Sequence, residues 1–516
     1  MKKLSILFSF CFLSMLAYGQ HIDTAMISKI RNEAFNKSET MKMVTTLCER
    51  IGPRPMATAP YDTAAAWIAK KMFSWNITSV KNEKIGQSFR GWRVKTFYAT
   101  QTLPFSRSLN ALPKSCSPGM SGVLKSNVVF LDAKEEKDFD QYKGKLKGKI
   151  VFITNAYTPQ VNFQKMIPIL ADTTLQSMSK YIIPDAEAKK KEKEENDAFF
   201  ANYLEKRKFI SKKIAFCQKE GAALLVDNSA RPYGMLQIWA NSPATEPTSV
   251  FGFLADAGPD PNIPQAPPQI TLPADQYASI LRQLKEGADV NLEIKMEVIE
   301  DGVKEGYNLI AEIPGTSKKN EIVLIGAHLD NYPAGTGATD NTINVATVME
   351  VARIFKTLNI QPSRTIRFCF WGAEEQGLRG SKAYIKNHFA TGSSEKCYIS
   401  LNADFGSGKF RGLYAEENTG AADMFKEWMN IINRPEFKTV CLKQTINSDH
   451  EAFQNAGLPG FQFIQDPLDY YVTFHSTQDV IERIPAGNPE YNAYILAALT
   501  YMAATQSKDF PSTQNK

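Results

Sequence analysis

The sequence has few histidines, no closely paired cysteines and no second long apolar run, and each shortage narrows its possible function. Only five of its 516 residues are histidine, so each imidazole is a candidate for a specific role. None of its seven cysteines belongs to a CxxC pair, which argues against a zinc site built from thiolates. The six cysteines beyond the N-terminal segment are widely spaced, and we predict no specific disulfide.

Excess charge is also small. The formal net charge is +6, and Lys2 and Lys3 in the N-terminal segment contribute two of these charges. This excess is too small, over a chain of this length, to predict a nucleic-acid partner. No later apolar stretch is long enough to cross a bilayer, so we expect no membrane span in the mature chain. The sequence gives no prediction of the oligomeric state.

The N-terminal stretch MKKLSILFSFCFLSMLAYGQ is typical of a secretory signal. Two lysines precede an apolar run that ends near Leu16, and the small residues Ala17 and Gly19 flank a cleavage site before Gln20. The apolar run is shorter than the roughly 20 residues that a membrane span needs. We therefore predict that residues 1–19 are a cleaved signal peptide and that the protein is periplasmic or extracellular.

The rest of the chain divides into three regions. Residues 20–114 are predicted to be globular and partly helical. Residues 115–300 contain strand patterns such as KLKGKIVFITN, a charged run from about Lys189 to Lys206 that indicates a solvated helix, and PDPNIPQAPPQITLP, which we predict to be a surface loop. Residues 301–510 alternate strand and helix patterns. Alternation of this kind predicts an α/β fold.

The alternating region predicts a mixed, mostly parallel central sheet flanked by helices. Its strand patterns are NLIAEIP, EIVLIGAH, TIRFCFWGA and CYISLNAD, and NVATVMEVARIFKTL is predicted to be an amphipathic helix between two of them. In open α/β sheets, ligands bind beyond the carboxyl ends of the strands. The residues that follow these strands are therefore the first candidates for a functional site.

Side chains that can bind metal follow three of the predicted strands. His328 ends one strand, Glu374 and Glu375 follow the next, and Asp404 follows the third, while Asp340 and His475 lie in loops. A lone histidine or a lone acidic pair is usually structural, and glycine-rich loops are mostly turns. The order HxD, D, EE, D and H after apolar strands is hard to obtain by chance. It predicts a metal site.

The types of donor group suit a pair of divalent cations. Zinc binds imidazole and carboxylate, and a catalytic site leaves one position open for water. Two ions about 3.5–4 Å apart need a carboxylate that bridges them, and Asp340 is the candidate. His328 and Asp404 would complete one ion, and Glu375 and His475 the other. Nitrogen and oxygen ligands also accept other divalent transition metals.

Three further residues have predicted roles near these ligands. Glu374 would take a proton from the attacking water and later deliver it to the leaving amine. Asp330 would accept a hydrogen bond from the second nitrogen of His328 and fix its tautomer. His450, in NSDHEAFQNAGLPG, is either a third site group or the start of a capped helix.

The motifs GAHLD, GATDN, FWGAEEQGLRGS, NADFGSG, SDHEAF and FHSTQD resemble those of the exported co-catalytic zinc aminopeptidases and their relatives, the plasma glutamate carboxypeptidase group. The resemblance implies two zinc ions per chain, with the ligands assigned above. It also implies Glu374 as general acid/base and Asp330 behind His328. Residues 115–300 resemble a β-rich protease-associated domain that is inserted into the catalytic domain of this group.

Two positions depart from the pattern of the family. Phe474 replaces the tyrosine that many of these aminopeptidases have before the last histidine, and Asn341 replaces a residue that is commonly acidic. Tyr470 and Tyr471 are candidates for the role of the missing tyrosine in the substrate site. The resemblance implies a peptide substrate and favours an aminopeptidase, with a dipeptidase or carboxypeptidase as the alternative. A single-zinc glutaminyl cyclase and an inactive binding protein on the same scaffold are further alternatives.

Overall fold

The structure, a computed structural model, describes residues 22–157, 168–248 and 259–511. The predicted signal peptide, its cleavage site and His21 lie outside these ranges. No helix within them is both long enough and apolar enough to cross a membrane.

Fourteen strands of the described ranges join into one sheet. They are β1 (Ser79–Leu103), β2 (Arg107–Ser108), β3 (Leu112–Pro113), β4 (Val123–Phe130), β5 (Ile150–Phe152), β6 (Leu224–Ser229), β7 (Gln269–Pro273), β8 (Asn291–Ile313), β9 (Lys318–His328), β10 (Arg364–Trp371), β11 (Lys396–Asn402), β12 (Phe410–Tyr414), β13 (Thr439–Cys441) and β14 (Gly460–Gln465).

Twelve α-helices in the same ranges cover or flank the sheet. They are α1 (Thr24–Asn36), α2 (Thr40–Thr45), α3 (Ala59–Ser74), α4 (Asp172–Ser179), α5 (Ala186–Lys219), α6 (Ala274–Lys285), α7 (Ile343–Thr357), α8 (Arg379–His388), α9 (Thr419–Ile432), α10 (His450–Asn455), α11 (Tyr470–Thr473) and α12 (Asn488–Thr505).

The strand order is β13-β12-β14-β11-β9-β10-β8-β4-β5-β6-β7-β3. Strands β14, β11, β9 and β10 are parallel neighbours, and β8 is antiparallel to β10. All eight residues of β10 are buried, as expected of a parallel strand that is covered on both faces. The predicted mixed, mostly parallel sheet flanked by helices is confirmed.

Strand β8 lies between β10 and β4 and so joins the two halves of the sheet. Its first residues pair with β4, its last residues pair with β10, and β1 pairs along most of its length. On the β4 side, β4, β5, β6 and β7 form a second parallel group with hydrophobic cores of its own. Residues 115–300 also contain helix α5, which is longer than these four strands together. That these residues form an inserted domain stays a prediction.

Two local predictions differ from the structure. The stretch predicted as a proline-rich surface loop ends in the buried strand β7, because Gln269–Pro273 pairs with β6 inside the second parallel group. Helix α7, predicted to be amphipathic, is buried along its first thirteen residues. Helices α1, α2, α3 and α12 pack against it as well as the sheet, so it has no solvent face there.

Candidate metal centre

The carboxyl ends of the parallel strands bring the predicted ligands together. His328 is the last residue of β9, Glu374 and Glu375 follow β10, and Asp404 follows β11. Strands β10, β9 and β11 are adjacent, so these three positions lie side by side along one edge of the sheet. The remaining two predicted ligands, Asp340 and His475, come from loops that fold over this edge.

The glycines of the loop before α7 allow it to pack closely against its surroundings. Gly337 has a φ of +65°, and a Cβ there would lie 2.3 Å from the side chain of Asn331. A Cβ on Gly335 would lie 2.6 Å from the carbonyl of Ser476, the residue after His475. The loop therefore approaches the His475 segment more closely than larger residues would allow, and this approach places Asp340 between the two histidines.

One group of possible ligands contains His328, Asp340 and Asp404. The Nε2 atom of His328 lies 3.2 Å from Oδ1 of Asp340 and 3.7 Å from Oδ1 of Asp404. All three donor atoms lie within 4.8 Å of one another, and all three residues are buried. A single cation has room to contact these three atoms at once.

A second group shares Asp340 with the first. The Nε2 atom of His475 lies 3.1 Å from the other oxygen of Asp340, Oδ2, and 2.9 Å from Oε2 of Glu375. Each carboxylate oxygen of Asp340 thus faces a different histidine, which is the arrangement expected of a bridging carboxylate. Glu374 also lies close, since a donor atom of Glu374 falls within 4.8 Å of donors on His328 and Glu375.

The electrostatics of the cluster favour bound positive charge. Burial raises the pKa of Glu374 well above its ordinary value and that of Glu375 to about 7. Burial also acts to raise the pKa of Asp340, but hydrogen bonds with His328 and His475 hold it below its usual range. Closely packed buried acids are costly unless cations balance them.

A further observation supports a cation near Glu375. Its second oxygen, Oε1, is buried and has no hydrogen-bond partner within the described ranges. Burial acts to lower the pKa of His475, but Glu375 and Asp340 raise it to about 10. The imidazole is therefore surrounded by acids that draw a positive charge toward it. The donor set and its burial fit a pair of divalent ions.

Asp330 contacts His328 through its backbone carbonyl and not through its carboxylate. The Nδ1 atom of His328 lies 2.8 Å from the backbone carbonyl of Asp330, whereas the Asp330 carboxylate is 4.0 Å away. The carboxylate accepts hydrogen bonds from the backbone N–H groups of Glu374, at 3.2 Å, and Glu375, at 3.3 Å. The carbonyl thus orients the imidazole, and the carboxylate holds the two consecutive glutamates in place.

His450 lies beside the centre but is not one of the possible metal ligands. It begins helix α10, and its Nε2 lies 2.8 Å from the hydroxyl of Thr445. Burial lowers its pKa to about 4. Asp449, the N-cap residue, makes no side-chain capping hydrogen bond, so the predicted cap is absent. The imidazole is a buried neutral group that packs behind the Asp404 loop.

The two candidate tyrosines differ in their surroundings. Tyr470 is buried, and burial together with the nearby Asp340 and Asp404 raises its pKa well above the ordinary value. Its ring stacks on Phe474, with centroids 5.5 Å apart. The side chain of Tyr471 is 59% exposed. Burial and Asp404 also raise the pKa of Tyr471, but Asp340 affects only that of Tyr470.

Several residues that support the ligands had no role predicted from the sequence. Ser448 donates a hydrogen bond of 2.6 Å to Oδ2 of Asp404, and Asn402 donates to Ser448 at 2.7 Å. The carboxylate of Asp479 accepts hydrogen bonds of 2.6 and 2.8 Å from the backbone and hydroxyl of Thr339, next to Asp340. Ser448 and Asp479 both lie in motifs quoted for the family resemblance. Their presence in these motifs was the sequence signal that could have identified them as supporting residues.

Arg54 anchors the loop that carries Asp340. It is fully buried, and its guanidinium donates to the carbonyls of Leu329, at 3.2 Å, and Thr336, at 3.2 Å, and to the hydroxyl of Thr342, at 2.6 Å. No role was predicted for Arg54 from the sequence. Charged side chains are rarely buried without a role, yet the sequence gives no sign of this burial.

Aromatic side chains surround His475. The ring centroid of Tyr332 lies 4.3 Å from that of His475, and the Trp239 centroid lies 4.8 Å away. The segment that contains Trp239 also pairs with the His475 loop, since the N–H of Ile238 donates to the carbonyl of His475 at 2.8 Å. The region between residues 115 and 300 thus contributes directly to one side of the centre.

The fold and the donor set define a class of protein, an α/β protein with a candidate metal centre at the carboxyl edge of its parallel strands. Residues 308–500 match the model of peptidase family M28. The match contains all five possible ligands and Glu374.

Curated relatives are similar over part of their length. Carboxypeptidase Q of Rattus norvegicus is 28% identical over 230 residues, 45% of this chain and 48% of the relative. Leupeptin-inactivating enzyme 1 of Streptomyces exfoliatus is 37% identical over 158 residues, 30% of this chain and 34% of the relative. Aminopeptidase YwaD of Bacillus subtilis is 30% identical over 210 residues, 39% and 45% of the two chains. The chain spans about half the length, or less, of these relatives.

Two solved structures share the fold over nearly the whole chain. A peptidase M28 precursor from Shewanella amazonensis superposes with a TM-score of 0.67 at 22% identity, covering 96% of this chain and 99% of that one. A zinc aminopeptidase from Bacillus subtilis gives a TM-score of 0.55 at 19% identity and covers 93% and 97%. These likenesses extend the shared fold to residues outside the family match.

Proposed function

We propose that the protein is a two-zinc exopeptidase that removes a residue from the end of a peptide. The observation that carries this proposal is the position of Asp340, whose two oxygens face His328 and His475 at 3.2 and 3.1 Å. His328 and Asp404 would hold one ion, and Glu375 and His475 the other. Relatives described as zinc aminopeptidases support zinc as the metal.

The protein's own groups would supply proton transfer and orientation. Bound divalent ions lower the pKa of water and polarise a carbonyl, which prepares both for reaction. Glu374, raised in pKa and next to the ligands, would accept a proton from the attacking water and return it to the leaving amine. Asp330 fixes the backbone that carries Glu374, which keeps the carboxylate aimed at the reacting atoms.

We favour an aminopeptidase, and a dipeptidase or carboxypeptidase is the second candidate. Similarity to an aminopeptidase supports the first, and similarity to carboxypeptidase Q supports the second. Export also belongs to the proposal, because residues 1–19 have the pattern of a signal peptide. Sequencing the N-terminus of the secreted protein would detect cleavage before Gln20.

The experiment that tests the mechanism compares the wild type with Glu374→Gln. The variant keeps the size of the side chain but removes its base, so kcat should fall about 10²- to 10⁴-fold on a leucyl anilide. Metal content should stay equal to that of the wild type. Wild-type turnover by a variant with full metal content would show that Glu374 is not the base.

The same assay separates the two candidate specificities. A leucyl anilide has a free amine and no free carboxylate, whereas an N-blocked peptide has a free carboxylate and no free amine. An aminopeptidase cleaves the first and not the second, and a carboxypeptidase does the reverse. A dipeptidase requires both free ends and should cleave only an unblocked dipeptide.

A further inference from the structure

Arg231 is a partly buried arginine near the metal centre with unused hydrogen-bond donors. One nitrogen, Nη1, donates to the backbone carbonyl of Tyr471 at 2.7 Å. The Nε atom is buried and has no partner within the described ranges. A buried donor without a partner costs about 1–3 kcal/mol, so such a group calls for an explanation.

Other buried arginines of the protein differ from Arg231. Four of them form ion pairs of 2.6 to 2.9 Å with carboxylates: Arg353, Arg364, Arg367 and Arg411. Arg54 directs its donors to backbone carbonyls and a hydroxyl. Arg231 forms no ion pair with any residue that the structure describes. Burial alone accounts for the lowered pKa of its guanidinium, with no acid to oppose it.

The position of Arg231 relates it to the centre. Its guanidinium carbon lies 4.9 Å from the ring centroid of Phe474, which lies 4.8 Å from that of His475. The guanidinium is therefore at most about 10 Å from the imidazole, a span that about three extended residues cover at 3.3–3.6 Å each. A group on a peptide one or two residues from the cleaved bond would reach it.

The charge of Arg231 is not needed to balance the centre. The ligand carboxylates of Asp340, Glu375 and Asp404, together with Glu374, carry four negative charges when ionised, and two divalent ions would neutralise them. The guanidinium is then a separate positive group beside the site. Arginine presents planar, paired donors that match the geometry of a carboxylate.

We propose that Arg231 binds the free C-terminal carboxylate of the substrate, so that peptides of two or three residues are the preferred substrate class. This rests on the proposed exopeptidase function. It adds a selection for short chains, because a longer peptide would place its carboxylate beyond the reach of Arg231. The aromatic ring of Phe474 supports the guanidinium from one face and limits its orientations.

The test uses three substrates: Leu-Gly, Leu-Gly-amide, which lacks the free carboxylate, and Leu-Asp-amide, which has a carboxylate only on its side chain. Arg231→Gln should lower kcat/KM for Leu-Gly about 10- to 100-fold, and that for Leu-Gly-amide by less than about 3-fold. Arg231→Lys keeps the charge without the paired donors and should give an intermediate loss. Arg434→Gln is the matched control, since Arg434 also packs on aromatic rings, Phe35 and Tyr491, and has a buried Nε that makes no hydrogen bond, although it lies 3.7 Å from Glu436.

Two results would overturn the proposal. An equal loss on Leu-Gly and Leu-Gly-amide would assign Arg231 a structural role. A selective loss on Leu-Asp-amide, with Leu-Gly unaffected, would assign it to an acidic side chain of the substrate. Thermal unfolding of each variant checks that the fold is kept. If Arg231→Gln is unstable, the losses on Leu-Gly and Leu-Gly-amide are compared in Arg231→Lys instead.

A binding measurement separates this proposal from the proposed function. Calorimetry with the zinc-loaded Glu374→Gln protein measures the affinity for Leu-Gly and its amide without turnover. The free acid should bind about 10-fold or more tightly than the amide, and adding Arg231→Gln should remove the difference. If the wild type cleaves no peptide, the exopeptidase function fails, and the affinities still decide the role of Arg231. Equal affinities in the presence of Arg231 would contradict it.

Discussion

The two sides of the metal centre are held in different ways. On the polar side, His328 donates a hydrogen bond to the carbonyl of Asp330, and Asp404 accepts one from Ser448, so each ligand is fixed by a hydrogen bond. On the aromatic side, which contains His475, Trp239, Tyr332 and Phe474, rings surround the imidazole, and its Nδ1 has no partner among the described residues. Under the proposed function, the polar side would set the metal geometry and the aromatic side would shape the space for substrate.

One residue of the aromatic side comes from a different part of the chain. The polar side consists of residues within the family match, whereas Trp239 on the aromatic side belongs to the region between residues 115 and 300. Backbone pairing between Ile238 and His475 joins that region to the centre. Changes in the 115–300 region can therefore alter substrate selection while leaving the ligands of the polar side unchanged.

The largest expected effect comes from the residue that the two sides share. Asp340→Asn keeps the shape of the side chain but removes the charge that would bridge two cations. We expect the variant to lose at least about one ion per chain and most of its peptidase activity, because both ions depend on this carboxylate. Metal analysis and leucyl-anilide turnover check this. Full metal content would show that Asp340 does not bridge.

A smaller effect is expected from removing a support on the polar side. Ser448→Ala deletes the 2.6 Å hydrogen bond to Asp404, and loss of such a support costs about 10- to 100-fold in metal affinity. Competition with a chelator measures the affinity. Ser211→Ala, which removes a buried hydroxyl in helix α5 outside the centre, is the control and should leave the affinity unchanged.

A change on the aromatic side should affect substrate more than metal. Trp239→Leu removes the ring that packs on His475, and we expect KM to change by about 10-fold or less with metal affinity near that of the wild type. Steady-state kinetics on several dipeptides and the same chelator competition give both values. A metal affinity lowered as far as in Ser448→Ala would remove the distinction between the two sides.

The smallest effect concerns a charged cluster outside the centre, around His388. Burial acts to raise the pKa of Glu83, but hydrogen bonds from His388 and Lys81 lower it to about 2 from an ordinary 4.5. A depressed folded pKa adds stability above about pH 4.5 that is lost as pH falls toward 2. Glu83→Gln should therefore lower the free energy of unfolding by at most about 3 kcal/mol near pH 6, and less at pH 3.

Urea unfolding of the wild type and Glu83→Gln across this pH range measures the difference. A constant difference at every pH would contradict an electrostatic origin. Peptidase activity at neutral pH should be equal in the two proteins, because this cluster contains none of the possible ligands. The cluster thus provides a histidine held by acids in a purely structural setting.

The sequence predicted the convergence of the ligands because simple topology controls it. His328, Glu375 and Asp404 each follow a strand, and adjacent parallel strands end at the same edge of a sheet. The strand patterns of β9, β10 and β11 are strongly apolar, so their assignment was secure. The roles of the ligands in binding metal stay predictions that the geometry supports.

The surroundings of the ligands were harder to predict because they depend on tertiary contacts between distant segments. The hydrogen bond from His328 goes to a backbone carbonyl of Asp330, and every residue has such a group, so no sequence signal marks it. Trp239 and Arg231 reach the centre through a segment whose register with the His475 loop cannot be read from composition. Helix α7 shows the same limit, since its burial depends on other helices packing over it.

The central claim is that the carboxylate of Asp340 joins two cation sites. Metal titration of the metal-free protein tests it most directly. After removal of metal with a chelator, zinc is added back stepwise while bound zinc and leucyl-anilide turnover are both measured. We predict that binding saturates at two zinc ions per chain, and that Asp340→Asn does not reach this value. Saturation at one ion per chain with full activity would contradict the claim.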